Sequence, residues 1–546
     1  MERTQRNRWL GSVLTVLSLA TISASQTVTN AVQASDFLLR PYVQNVTQTS
    51  IVLSWETTEP TTCLLDYESG DTWLTLRTIK SRTVHKVELT HLKPHTQYSY
   101  TVTILPDGPD ATGTFATAVH RDSPFVFGIY GNTVGNSEVN AAARDAFVRM
   151  NPQLVVHTGN LVRASTKDEW TEFLSTLNGK TPREGLLSNV PIYAVPGPTD
   201  LGRANATGSL IQTLRNSLEL WRTLFTFPRT GPVGTYAFSD RVDCSFDGRS
   251  YSFKYGVAKF IVLDTGSQID PDIVRQVSVL APDLSPGSSQ YLWLERELVD
   301  GKRSCAFTFV FMHNSPFASG EWYPTEPEEM LHLVDLFLDY DVTAVFTGSI
   351  PRYERSLYVK EETGKQLNFI TAGGAGAPLS SPPEDIRKSN PYYKTHYGGG
   401  DTDQFSVISV AIGKDKDIPG KWWVTVSPTK IVENDGEVFD EIIMPGIDPL
   451  ANIVFDTTTD SVERTDTKQE SEGKPTLPAH LQEKVDNFRA AYGAENGDES
   501  YDPQFDYNKD GKIDFSDLSG FSARFPSLTD TKTEAEQISN SSKDSD

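Results

Sequence analysis

The chain has 546 residues, 38% of them hydrophobic, with 20 Tyr, 27 Phe and 9 Trp. It is too long for one core and too apolar for a disordered chain, so about three or four domains are expected. A formal net charge of -23 argues against nucleic acid as a partner and favours solubility. Three cysteines, Cys63, Cys244 and Cys305, are too few for a disulfide framework, so the domains must stand on their own cores.

Arg3, Arg6 and Arg8 precede an apolar run over 9–22, followed by small residues with possible cleavage after Ser25 or Ala34. This predicts a signal peptide over 1–34 and a secreted, periplasmic or cell-surface protein. The alternative is an uncleaved N-terminal anchor, disfavoured by so short an apolar run. No later run reaches the roughly 18–20 apolar residues of a membrane helix, so no transmembrane segment is expected in the mature chain.

Residues 50–57 and 98–104 alternate apolar with polar, as half-buried strands do, and 63–68 reads as a third strand. Between them, Leu92-Lys93-Pro94-His95-Thr96-Gln97-Tyr98 resembles the tyrosine corner of fibronectin type III sandwiches, whose Tyr hydroxyl bonds back to upstream backbone. The resemblance implies a sandwich over 36–118, a structural and docking unit. From 124 to about 438 strands alternate with helical stretches, predicting an α/β domain over 122–445. Strands are expected at 125–130, 154–158, 190–195, 307–312 and 340–346, with a hairpin from 251–256 into 260–264. Helices are expected at 138–150, 167–177, 292–298 and 330–338.

Loops of special composition follow several of these strands. They read Gly131-Asn132-Thr133, Gly159-Asn160-Leu161-Val162-Arg163, Gly197-Pro198-Thr199-Asp200, Val310-Phe311-Met312-His313 and Gly348-Ser349-Ile350-Pro351-Arg352-Tyr353-Glu354-Arg355, with a glycine loop at 369–378. Open α/β sheets place their sites beyond the carboxyl ends of strands. The series resembles the five motifs of the calcineurin-like metallophosphoesterases, purple acid phosphatase branch, over roughly 36–445. That resemblance implies an αββα fold and two bridged metal ions, Fe, Zn or Mn, that activate a hydroxide against phosphate.

Taken position by position, however, the ligands are replaced. Asn132 stands for a metal-binding Asp, Asn160 for the bridging Asp, and Arg163 for the charge-transfer Tyr. Pro198 replaces a ligand Asn and Thr199 the leaving-group His, while Asp200 is kept. Ser349 and Pro351 replace two ligand His, and of six ligand positions only His313 is retained. A four-ligand zinc site is worth about 10–16 kcal/mol, and five altered positions, two of them lost anions, exceed what neighbouring groups recover. His157 and His332 lie within a strand and a helix and read as packing residues. His313 and Arg163 allow two readings, an ancestral remnant and a rim charge, or an anion site completed by backbone N–H groups.

Residues 452–478 are polar and read as a linker, and 527–546 as a disordered acidic tail. Over 479–526, Asp506, Asn508, Asp510, Asp514 and Asp517 fall at positions one, three, five, nine and twelve of a calcium loop. Gly511 stands at the sharp turn and Lys512 offers its carbonyl. The loop resembles the EF-hand-like repeats of dockerins, so Ca2+ is the expected cofactor in a small helical module, although no second repeat is present. The expected function is a pseudophosphatase with a binding or scaffolding role, its partner a protein or an extracellular anionic ligand. The alternative is an active phosphoesterase with a rebuilt metal site. Any disulfide is expected between Cys244 and Cys305.

Overall fold

A computed structural model describes residues 35–446, except 71, 182, 202–209, 233–245, 266–283, 320–327, 399–403, 416, 417, 419, 433 and 434; beyond 446 it describes only 487, 502 and 503. The signal-peptide segment, the linker, the calcium loop with its flanking module, and Cys244 lie outside the described residues.

The first unit is a sandwich of seven strands: β1 (Phe37–Gln44), β2 (Ile51–Thr61), β3 (Cys63–Ser69), β4 (Thr72–Arg77), β5 (Arg82–Leu89), β6 (Gln97–Ile104) and β7 (Asp110–Ala116). They form two sheets, ordered β1-β2-β5 and β4-β3-β6-β7. Strand β6 buries every second residue, because alternate side chains leave a strand on opposite faces. The tyrosine corner forms as expected, with Lys93 N donating to Tyr98 Oη at 2.8 Å.

The second unit has four layers. In chain order it comprises β8 (Phe125–Tyr130), α1 (Ser137–Met150), β9 (Leu154–His157), α2 (Lys167–Asn178), β10 (Ile192–Ala194), α3 (Leu210–Leu224), β11 (Tyr251–Tyr255) and β12 (Ala258–Leu263). Then follow α4 (Ser289–Ser304), β13 (Phe307–Met312), α5 (Glu328–Asp339), β14 (Ala344–Thr347), β15 (Tyr353–Val359) and β16 (Gln366–Ala372). The unit ends with α6 (Ile386–Ser389), β17 (Tyr393–Tyr397), β18 (Gln404–Lys414), β19 (Trp422–Val432) and β20 (Ile442–Pro445). One sheet runs β10-β9-β8-β18-β19-β20 and the other β11-β12-β13-β14-β16-β15-β17.

The central strands are largely apolar because both faces are covered. Phe127 of β8 meets Phe260, Phe309 and Phe311 of the facing sheet with ring centroids 5.0, 5.3 and 6.5 Å away. The alternate residues Ile261, Val310, Val345 and Phe369 turn outward to Leu294, Leu298, Leu333 and Phe337 of α4 and α5. Among the described residues no helix is long and apolar enough to cross a membrane.

One expectation needs correction. The strand expected at 340–346 begins only at Ala344. Tyr340 N still donates to Leu336 O of α5 at 3.2 Å, and Asp341 turns the chain at φ 53°. Cys305 carries a free buried thiol, and Cys244, its expected partner in any bridge, lies outside the described residues. Cys305 caps α4, its N–H donating to Gly301 O.

The sandwich is fixed to the α/β unit by hydrogen bonds as well as by shared core. Lys86 Nζ donates to Arg222 O at 2.9 Å, Phe225 O at 2.8 Å and Thr226 Oγ1 at 3.0 Å. This places a cation at the negative end of α3. Tyr42 Oη and Gln44 Nε2 both donate to Leu224 O, and Tyr100 Oη donates to Ser188 O at 2.9 Å.

Candidate functional site

The motif loops converge beyond the carboxyl ends of β8, β9, β10, β13 and β14, where the parallel strands of each sheet end together. Asn132 and Asn160 each take φ near 60° (56° and 59°), a left-handed conformation that Asn tolerates better than most residues. Gly159 also has positive φ, 99°, and a Cβ there would sit 2.5 Å from His313 Nδ1. A Cβ on Gly373 would fall 1.8 Å from Ile350 O. The loops are therefore pressed together closely enough for their side chains to bond one another.

They do so as a neutral relay. Thr199 donates to Asn160 Oδ1 through Oγ1 at 2.9 Å and through N at 3.2 Å. Asn160 Nδ2 donates to Asn132 Oδ1 at 2.9 Å, and Asn132 Nδ2 donates to Gly348 O. Two carboxylates at these positions would repel one another until a cation lay between them. The two amides instead satisfy each other, donor to acceptor, and tie β8, β9 and β14 together.

The retained Asp200 lies beneath this relay, fully buried. Its Oδ1 accepts from Leu161 N at 2.7 Å and Val162 N at 3.1 Å, and its Oδ2 from Asn160 N at 2.8 Å and Gly197 N at 2.9 Å. Burial pushes the carboxyl up to about 7, while these four N–H groups pull it down. Its role is to shape the Asn160 loop.

His313 is buried, its Nδ1 2.8 Å from Thr158 O. Arg163 is exposed at the rim, where Nη2 donates to Val134 O at 3.4 Å and its backbone N–H to Glu169 Oε2. Pro198 and Pro351 are half-buried at the edge and carry no side-chain donor. Ser349 is 2% exposed and its Oγ has no hydrogen-bond partner among the described residues.

The side chains present do not fit a dinuclear metal centre. The amide oxygens of Asn132 and Asn160 are committed to N–H and O–H donors, and neither is anionic. Among the described residues no three His, Cys, Asp or Glu side chains come together to hold a metal ion.

Several supporting residues were not anticipated from the sequence. Tyr353 Oη and Arg355 clamp Asp440, the latter with Nε to Oδ2 at 2.7 Å and Nη2 to Oδ1 at 2.9 Å. Arg352 and Glu354 form a buried ion pair at 2.7 Å, and Glu354 Oε1 also accepts from Ser319 and Asn390. Arg352 and Arg355 lie within the motif that runs from Gly348 to Arg355, and Asp440 lies 85 residues beyond Arg355.

His157 and His332 are packing residues, as expected. His332 Nε2 lies 2.9 Å from Leu284 O. His157 is fully buried, stacks edge-on against Tyr130, and accepts from Gly159 N at Nδ1. Its Nε2 lies 3.2 Å from Thr133 Oγ1, which itself donates to Leu161 O at 2.7 Å, so the ring is neutral with its proton on Nε2. Burial, then the charge of His313, holds its pKa well below the usual imidazole value. The unfolded chain binds a proton here below about pH 6.5 and the folded chain does not, so stability falls as the pH drops. The expected slope is about 1.4 kcal/mol per pH unit below 6.5. Denaturant titrations at pH 7.5 and 5.5 should show a smaller difference in His157→Gln than in the wild type. Equal differences would remove His157 as the cause.

Residues 40–113 match the fibronectin type III domain family. Purple acid phosphatase 13 of Arabidopsis thaliana is 34% identical over 151 residues, covering 26% of this chain. This chain spans only 24% of that relative's length. Among solved structures, the purple acid phosphatase from yellow lupin (Lupinus luteus) seeds superposes with a TM-score of 0.54 at 14% identity, covering 75% of this chain and 74% of its own. PhoD superposes with a TM-score of 0.54 at 13% identity, covering 75% of this chain and 90% of its own. The chain thus joins a fibronectin type III domain to an α/β domain with the fold of these phosphatases.

Proposed function

We propose that this protein is a pseudophosphatase, a metallophosphoesterase-like fold that has exchanged catalysis for binding or scaffolding outside the cytoplasm. The observation that carries this reading is the relay Thr199–Asn160–Asn132–Gly348. Metal-assisted phosphoester hydrolysis needs anionic oxygens between paired dications, and here those positions hold amides already spent on one another. Thr199 also stands where the leaving-group acid would be. The partner is a protein or an anionic extracellular ligand. In this reading Asp506, Asn508, Asp510, Lys512, Asp514 and Asp517 hold one calcium ion in the C-terminal module, for which the loop spacing is the support.

A second reading, a phosphoesterase with a rebuilt site, is favoured by the 34% identity to a purple acid phosphatase and by the unpartnered Ser349 hydroxyl. Elemental analysis and an aryl-phosphate assay separate the two. Protein dialysed against calcium and then supplied with iron, zinc and manganese should retain about one calcium per chain and no stoichiometric transition metal. Its turnover should not exceed that of a His313→Ala control. Metal-stimulated hydrolysis well above the control would establish the second reading.

A further inference from the structure

Strand β4 is a sheet edge without the usual protection. Among the described strands it pairs only with β3, in unbroken register from Ser69↔Thr72 to Leu64↔Arg77. All six of its residues are exposed, including Trp73 at 55%, Leu74 at 45% and Leu76 at 40%. Natural edges are blunted by charged side chains, proline or a bulge, and Thr72-Trp73-Leu74-Thr75-Leu76-Arg77 has only the terminal Arg77. Alternation places Trp73, Thr75 and Arg77 on one face. Leu74 and Leu76 lie on the other, opposite Tyr67 and Leu65 of β3, and line a groove of about 450 Å³ together with Leu92 and Tyr98.

We propose that β4 pairs antiparallel with β4 of a second copy of this chain, about a two-fold axis at Thr75, giving one continuous eight-stranded sheet across the dimer. A two-fold axis normal to the sheet requires opposed residues to share a face. The register centred on Thr75 does this and matches the side chains in kind. Thr75 meets Thr75, Leu74 meets the partner's Leu76, and Trp73 meets the partner's Arg77, with each of the last two pairs formed twice. Aliphatic pairs and an indole facing a guanidinium are favourable cross-strand neighbours. Registers shifted by one residue on each strand lose this match: one sets Trp73 against Thr75, the other Thr75 against Arg77. The partner's Leu76 also extends the apolar row Tyr67–Leu74 and closes the mouth of the groove, which no second class of protein is needed to do.

Light scattering of the full chain behind gel filtration, at tens of micromolar, should give twice the monomer mass and fall to the monomer on dilution. Thr75→Lys should weaken association at least tenfold, because two ammonium groups would face each other across the axis. Within the chain Thr75 Oγ1 donates to Asp66 Oδ1 of β3, and the new ammonium stands beside the same carboxylate, so the sandwich should keep its melting temperature. Thr75→Asp sets a carboxylate opposite Asp66 within the chain and should lower the melting temperature of the sandwich; well below that temperature it should likewise be monomeric, and an equimolar mixture of the two variants should regain the dimer mass. Under mild oxidation Thr75→Cys should form a covalent dimer at least tenfold faster than Trp73→Cys, whose sulfurs the register keeps four residues apart. A wild-type monomer at every concentration would overturn the proposal. So would a dimer that Thr75→Lys leaves intact, or equal cross-linking of the two cysteine variants.

Discussion

Replacing Asp200 by Asn is expected to lower the stability of the α/β domain by about 3–5 kcal/mol. The carboxylate accepts from four backbone N–H groups, two on each oxygen, and it is fully buried. An amide of the same shape keeps one oxygen and turns an NH2 group toward two N–H donors. Each buried donor left unpaired costs about 1–3 kcal/mol, and the facing NH2 adds repulsion. Because Asn160 N is one of the four donors, the damage should spread to the relay above it. Urea titration should show the midpoint falling with little change in slope. A loss below about 1 kcal/mol would mean that the four contacts do not hold the loop.

The second large effect is expected at Arg249. Its guanidinium donates through Nε to Asp264 Oδ2 at 2.8 Å and through Nη2 to the same oxygen, and both side chains are 0% exposed. Asp264 follows the end of β12, and the next residue, Thr265, donates through Oγ1 to Asn314 Oδ1 at 3.1 Å, beside His313. Arg249→Met leaves a buried carboxylate without its cation and should cost about 3–5 kcal/mol. The double variant Arg249→Met/Asp264→Leu should recover most of that loss, since a buried ion pair gains little over packed apolar groups once desolvation is counted. If the double variant were as unstable as the single one, the stability would come from other hydrogen bonds of these residues. The cycle needs only equilibrium unfolding, so it stands apart from any assay of function.

Strands and the corner turn were legible because their signals are local. The apolar runs at 125–130 and 307–312 coincide with β8 and β13, and the Leu92–Tyr98 motif carries its own hydrogen bond. Other elements depend on distant partners. Strand β18 completes the sheet by pairing Ile408 with Ile129 and Val410 with Phe127, and nothing in either segment names the other. The strand expected from residue 340 was shortened because the apolar face of α5 continues through Tyr340. Periodicity alone does not separate the last turn of a buried helix from the first residues of a buried strand.

The candidate site divides in the same way. The sequence by itself determined which residues stand at each motif position, so the expected exchange of acidic, amide and imidazole ligand groups for Asn132, Asn160, Pro198, Ser349 and Pro351 could be read without coordinates. Only the tertiary structure decided what those replacements do. It pairs Asn160 with Asn132 and Thr199, makes Asp200 the acceptor for four backbone donors, and leaves the Ser349 hydroxyl buried without a partner among the described residues. The physical reason is that an amide or hydroxyl is neutral and directional. Its partner is set by angstrom-scale placement of loops from five different strands, which no spacing along the chain encodes.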